Sequence, residues 1–168
     1  MTSHGFAVVG IKTTGASDTD RIIDVAVILL DAAGIVEKHW ETIVNPDNGY
    51  APPLATGLTA SQLRVAPRIE DVIGEFLSQL NGRVLVTDHS QQTFKFLREE
   101  FKRISHPGLY DAFIQLATPE TSAHDVSIDD ASATSDEMTA LLRATETAGL
   151  FSRIVAGKTD ELPDIKPF

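Results

Sequence analysis

Cysteine is absent from the 168 residues, and its absence removes several kinds of site at once. Disulfide bonds, thiolate zinc sites, iron–sulfur clusters and cysteine nucleophiles all require it. Long hydrophobic runs are absent too, because no apolar segment approaches the roughly 20 residues of a membrane-spanning helix. Residues 6–11 are too short a run for the core of a signal peptide. We therefore expect a cytoplasmic protein with no membrane partner.

Basic residues are scarce. Fourteen Lys and Arg face 24 Asp and Glu, and the net charge is −10. Such a surface repels phosphate polymers at long range, which disfavours nonspecific DNA or RNA binding through a broad basic face. With 42% hydrophobic and 23% charged residues, the composition is that of a soluble globular protein. We expect one domain over residues 1–157 and a polar, poorly ordered tail over residues 158–168.

Apolar runs predict an α/β domain with a mixed sheet. Continuous runs at residues 6–11 and 21–30 indicate buried strands, and a third strand over 35–44 follows a Gly-containing turn, as in an antiparallel hairpin. Apolar residues at helical spacing predict helices over 69–80 and 92–104, on either side of a short strand at 84–86. The predicted order is β-β-β-α-β-α, which favours helices packed on one sheet.

The last third of the chain gives weaker signals. Residues 109–116 read as a strand edge running into a helix. Residues 134–137 have capping-box spacing and predict a final helix that ends near Gly149. The apolar positions of that helix are Met138, Leu141, Leu142 and Thr145.

Several segments together resemble the start of the DEDDh 3′–5′ exonucleases, the proofreading type related to the epsilon subunit of DNA polymerase III. The resemblance is carried by Gly10-Ile11-Lys12-Thr13-Thr14-Gly15 and by residues 20–27, 40–46, 57–59 and 96–101. It covers roughly the first hundred residues. The family implies an RNase H-like fold and hydrolysis of a terminal phosphodiester by two divalent metals, held by four acidic residues beside a histidine base.

The metal-binding positions of that family are altered here. Its first motif reads Asp-x-Glu-Thr-Thr-Gly, so the resemblance places Gly10 at the aspartate and Lys12 at the glutamate. Thr93 falls at the aspartate of the second motif. Magnesium and manganese require carboxylate oxygens that glycine, lysine and threonine do not supply. We expect no metal site and no cofactor. The neighbouring Asp88 and His89 read as a solvated loop rather than a replacement metal pair.

The third motif, His-x-Ala-x-x-Asp, has two possible registers. One places the histidine at His124 and the aspartate at Asp129, as relics of the catalytic base and the fourth ligand. The other places Asp130 at the aspartate, which leaves Asp125 at the histidine. The residues do not decide between the two.

Three functions remain open from the sequence. The favoured one is a catalytically inactive exonuclease-like domain that binds a nucleic-acid end, a nucleotide or a protein. The second is an active Mg- or Mn-dependent 3′–5′ exonuclease with a rearranged site, and the third is a structural protein-interaction domain without nucleic-acid contact.

Lys12 allows two roles in the cleft. It can fill the emptied site as an ion pair with Asp24 and Asp129, or it can hold a phosphate together with the amides of Thr13 and Thr14. The negative charge of the chain favours the ion pair.

Overall fold

Five strands and four helices make up the described part of the computed structural model, which comprises residues 5–17, 19–52, 56–87, 90–104, 124–125 and 139–157. The strands are β1 (Phe6–Thr13), β2 (Ile22–Leu30), β3 (Val36–Ile43), β4 (Val84–Thr87) and β5 (His124–Asp125). The helices are α1 (Ala60–Val65), α2 (Ile69–Leu80), α3 (Ser90–Arg103) and α4 (Ala140–Gly157).

The strands form one mixed sheet in the order β3-β2-β1-β4-β5. The pairs β1–β2 and β2–β3 are antiparallel, whereas β1–β4 and β4–β5 are parallel. The predicted α/β class, with a mixed sheet and flanking helices, is confirmed. The C-terminal ends of β1, β4 and β5 lie at the same end of the sheet, because these three strands run in one direction.

Both faces of the central strands are covered, which explains their unbroken apolar sequences. Helices α2 and α3 pack on one face through a core that includes Val9, Val27 and Phe76. Helix α4 covers the other face, where Phe6 meets Phe151 edge-on with ring centroids 4.7 Å apart. The predicted bounds of α2, residues 69–80, match the structure.

The final helix differs from its prediction in both its buried face and its end. The side chains of α4 that face the sheet are small: Ala140, Ala144 and Ala148 are buried, whereas Leu142 is exposed. Gly149 does not end the helix, which continues to Gly157 since the apolar Phe151 and Val155 extend its packed face. The predicted elements at residues 109–116 and 134–138, and the tail at 158–168, lie outside the described residues.

Helix α1 was not predicted, because its six residues bury only Leu63. Its start nevertheless carries a local signal. The Thr59 hydroxyl accepts a hydrogen bond from the amide of Gln62, whose side chain accepts one from the amide of Thr59. This capping box satisfies backbone donors that would otherwise lack partners at the helix start.

Candidate functional site

The position of the first expected carboxylate, Gly10, lies directly beneath the backbone of α4. A Cβ built on Gly10 would overlap the carbonyl oxygen of Ala140 and lie 3.0 Å from the amide nitrogen of Ala144. Contacts this close to backbone atoms can be relieved only by moving the helix. The alanine face of α4 and the glycine of β1 together allow this close approach. A carboxylate side chain therefore has no room at position 10 in this arrangement.

Lys12, at the second expected carboxylate position, is buried opposite Asp24. The two residues are cross-strand partners in the β1–β2 ladder, and only 8% of Lys12 and 5% of Asp24 remain exposed. The position thus carries a buried ammonium beside a carboxylate. A cationic ligand to a metal cation is excluded by charge, so Lys12 cannot replace the expected glutamate.

Asp24 holds the N-terminus of α4. One of its carboxylate oxygens accepts a hydrogen bond of 2.9 Å from the amide of Ala140, and Thr139 caps the same end by accepting from the amide of Leu142. A negative charge at a helix N-terminus is favourable, since unpaired amides concentrate there. The carboxylate is therefore already committed to a structural contact between β2 and α4.

Burial raises the pKa of Asp24 above its ordinary value, and the negative charge of Glu41 acts in the same direction. The Ala140 amide and the Lys12 ammonium oppose this shift, since both stabilise the ionised carboxylate. Burial is the largest of these influences. Lys12 and the helix terminus thus compensate only part of what it costs to bury the charge.

Thr93, at the third expected carboxylate position, is buried in the first half of α3. Its hydroxyl oxygen lies 3.2 Å from that of Thr87, which donates the hydrogen bond from the C-terminal end of β4. Both side chains are almost fully buried. A neutral hydroxyl pair therefore occupies this part of the cleft.

The residues after Lys12 close the β1–β2 hairpin. The amide of Thr14 donates to the carbonyl oxygen of Arg21 at 2.8 Å, and the Thr14 hydroxyl donates to Asp20. The Thr13 hydroxyl donates to the carbonyl of Gly15. A phosphate bound by the Thr14 amide would have to displace the bond to Arg21, so the phosphate-binding role suggested for Lys12, Thr13 and Thr14 competes with the hairpin itself.

His124 and Asp125 form β5, at the edge of the sheet. In the parallel ladder His124 pairs with Val86 and Asp125 with Thr87. Of the two registers proposed for the third motif, only these two residues lie in the described part of the chain. Asp129 and Asp130 lie outside it, as do Asp88 and His89.

The residues around the C-terminal ends of β1 and β4 do not fit the pair of divalent cations that the family resemblance implies. Gly10 has no space for a carboxylate, Lys12 is cationic, Thr93 offers a hydroxyl bonded to Thr87, and Asp24 caps a helix. Within the described residues, no group of three or more His, Asp or Glu side chains converges as metal ligands do. The donor set is that of a packed structural site.

Glu100 is a buried charged residue that the sequence pattern did not reveal. Its carboxylate is only 1% exposed and receives a bidentate pair from Arg21, at 2.8 and 3.0 Å, together with the amide of Ile22 and the guanidinium of Arg103. Glu99 and Glu100 lie among basic residues of α3, a pattern typical of a solvated helix face, and Glu100 does not follow it because its side chain is buried. The pairing partner, Arg21, lies 79 residues away in sequence, so helical periodicity gave no signal of it.

Arg21 extends the same network to the loop after β3. It donates to the carbonyl oxygen of Pro46 at 2.8 Å, so this guanidinium joins the start of β2, helix α3 and the Pro46 loop. The start of β2 is therefore held from both faces of the sheet, by the Arg21–Glu100 pair on one face and by the Asp24–Ala140 hydrogen bond on the other.

Every helix in the described ranges falls short of the length and apolarity needed to cross a bilayer.

Comparison with known proteins finds relatives among DNA polymerase III components. The chain is 33% identical over 123 residues to the PolC-type DNA polymerase III of Caldanaerobacter subterraneus, a match that covers 71% of this chain and 8% of the polymerase. It is 30% identical over 103 residues to the epsilon subunit of DNA polymerase III from Aquifex aeolicus, covering 58% of this chain and 50% of the subunit. The chain thus spans half or less of these relatives. No family model matches it.

Solved structures share the fold. The nuclease domain of 3′hExo, a DEDDh family member bound to rAMP, aligns with a TM-score of 0.59 and 15% identity, over 97% of this chain and 95% of that domain. At this identity the match establishes the architecture alone. The expected RNase H-like fold of the exonucleases is confirmed.

Proposed function

We propose that this chain, a relative of the DEDDh 3′–5′ exonucleases, is a non-hydrolytic domain of that family that works by binding. One observation carries the proposal. Helix α4 packs its backbone against Gly10, so the first metal carboxylate of the family has no space in this chain. The loss is thus built into the packing between helix and sheet as well as into the residue type.

The other two altered positions support the same conclusion. Lys12 places a positive charge where the family binds cations, and the Thr93 hydroxyl accepts a hydrogen bond from the Thr87 hydroxyl. Two-metal hydrolysis depends on carboxylates to position both cations and so to activate water and stabilise the leaving oxygen. With these three positions changed together, three of the four carboxylates that would assemble such a centre are missing.

A protein is the target that the charge of the molecule favours. The net charge is −10, and Lys12, at one of the altered motif positions, is buried opposite Asp24 rather than presented to a phosphate. A nucleotide or nucleic-acid end is the second candidate, because the 3′hExo domain that shares the fold binds rAMP. Binding of either ligand by this chain would require contacts other than an exposed Lys12.

The activity test is a nuclease assay with a 3′-labelled oligonucleotide in Mg²⁺ or Mn²⁺. We expect no degradation by this chain. A His124→Ala variant purified in parallel serves as the control, because a contaminating nuclease would act equally in both preparations. Degradation that is present in the wild-type chain and lost in this variant would contradict the proposal.

The choice between targets is tested by fluorescence anisotropy of a labelled single strand and by calorimetry with AMP. We expect no saturable binding of either at low salt, where phosphate contacts are strongest. Saturable binding that weakens steeply with added salt would favour the nucleic-acid target. Such a result would not bear on hydrolysis, which the nuclease assay tests separately.

A further inference from the structure

Strand β3 is a long and exposed edge of the sheet. It contains eight residues and, within the described part of the chain, pairs only with β2. Its first four residues are exposed and its last four are exposed or half-buried, unlike the buried β1 and β2. An edge of this length presents a row of unpaired backbone groups that another strand can use.

The ladder with β2 identifies which backbone groups of β3 face outward. The amide of Val44 donates to Ile23, so Val44 points toward β2. In an antiparallel ladder the direction alternates along the strand. Thr42 and Trp40 therefore bond inward, while Glu41 and His39 turn their N–H and C=O groups away from the sheet.

Side-chain charges restrict how this edge can pair with its own copy. In a symmetric antiparallel pair one residue lies opposite itself, and its neighbours pair at equal distances on either side. A centre at Lys38 or at Glu41 places like charges opposite each other, and a centre at His39 places Glu37 opposite Glu41. Like charges in directly opposed positions are destabilising. Among the middle positions of the strand, only a centre at Trp40 avoids them.

We infer that β3 pairs antiparallel with β3 of a second copy of this chain, centred on Trp40, to form one continuous sheet. Each His39 then lies opposite the Glu41 of the other copy. These are the outward-facing positions, so each of the two His39–Glu41 pairs exchanges two backbone hydrogen bonds. An imidazole N–H can donate to the facing carboxylate as well.

The side chains suit this register on both faces. His39 and Glu41 project on the α4 face, because their β2 partners Ile28 and Ala26 belong to the core beneath α4. Trp40 projects on the opposite face, where it packs against Phe76 with ring centroids 6.2 Å apart. The central Trp40 pair is a non-hydrogen-bonded pair, the type with the shorter Cα separation, which brings the two indoles together.

Charged residues on an edge strand also have an opposite use, since they can prevent edge pairing in a monomer. The two interpretations predict different oligomeric states. The dimer interpretation depends on β3 alone, so its failure would leave the proposed absence of hydrolysis untouched.

The test is sedimentation velocity of the full chain from micromolar to sub-millimolar concentration. We expect a concentration-dependent species of twice the 18.2 kDa chain mass. His39→Glu turns both opposed pairs into like charges and should weaken the dimer about tenfold or more. Adding Glu41→Lys to His39→Glu restores opposite charges and should restore the dimer. Arg98→Gln, which lowers the net charge equally on an exposed part of α3, should leave it unchanged.

Hydrogen exchange locates the contact independently. The amides of His39 and Glu41 should gain protection as concentration rises, and circular dichroism should show that each variant is folded. A monomer at every concentration would overturn the inference and leave the edge charges as a guard against pairing. A dimer that ignores His39→Glu would also overturn it, since another surface would then form the contact.

Discussion

Replacing Gly10 by alanine tests the central contact of the site with one methyl group. The added Cβ would overlap the Ala140 carbonyl oxygen, far inside the roughly 3.3 Å at which carbon and oxygen ordinarily touch. It would also lie 3.0 Å from the Ala144 amide nitrogen. Because both contacts are with backbone, relief requires α4 to move away from β1 by about 1 Å. Overpacking of cores costs about 1–3 kcal/mol and occasionally more.

We therefore expect Gly10→Ala to lower the free energy of unfolding by about 3 kcal/mol. In a chain of this size that loss lowers the melting temperature by about 6–12 °C. The assay is thermal and urea unfolding followed by circular dichroism. The matched control is Gly149→Ala in α4, where a new Cβ meets nothing within 4 Å. That change should raise stability by about 0.5–1 kcal/mol, since glycine is unfavourable within helices. Wild-type stability in Gly10→Ala would refute the packing described for α4.

Three further substitutions and one chelation experiment test the candidate site and the contacts that hold it. Lys12→Ala should lower the free energy of unfolding by about 1 kcal/mol or more, because it leaves Asp24 with less compensation; an unchanged urea midpoint would contradict the ion pair. Burial raises the pKa of Asp24, so ionisation of this carboxylate above about pH 4 lowers the stability of the folded protein. Asp24→Asn removes that ionisation and should gain stability relative to wild type as pH rises above about 4, in paired urea titrations. A stability difference that does not change with pH would count against burial as the cause. Glu100→Ala should cost about 3 kcal/mol by leaving Arg21 without its carboxylate, and a loss under 1 kcal/mol would mean that the network is dispensable. EDTA should leave the melting temperature unchanged, whereas a fall of several degrees would reveal a structural metal.

The sequence predicted the parts of the fold that periodicity controls. Continuous apolar residues identified β1 and β2, and the spacing from Ile69 to Leu80 identified α2 with its bounds. The buried face of α4 escaped prediction because alanine at Ala140 and Ala144 gives a weak hydrophobic signal, although small residues are what a close helix–sheet contact requires. Leu141 and Leu142 gave the stronger signal; Leu141 does pack against the core beneath α4, but Leu142 is exposed and was assigned to the wrong face.

For the candidate site, the sequence identified the altered positions but could not show what replaced them. Gly10 read as the absence of a ligand, whereas its packing against Ala140 depends on a residue 130 positions later in the chain. The family resemblance had suggested Asp24 and Asp129 as ion-pair partners for Lys12; the β1–β2 ladder places Asp24 opposite Lys12, and Asp129 lies outside the described residues. The further role of Asp24 at the start of α4 could not be foreseen, because it depends on where a distant helix begins.

The contact between Gly10 and α4 closes position 10 to aspartate, the residue that the exonuclease motif carries there. The obstructing atom on α4 is a main-chain oxygen, so no smaller side chain at residue 140 can make space for a larger one on β1. Placing aspartate at position 10 requires a shift of the whole helix, and the expected loss in Gly10→Ala means that the side-chain change alone gives a less stable protein. Selection for stability alone would then keep the glycine in place, with no need for continued selection against hydrolysis.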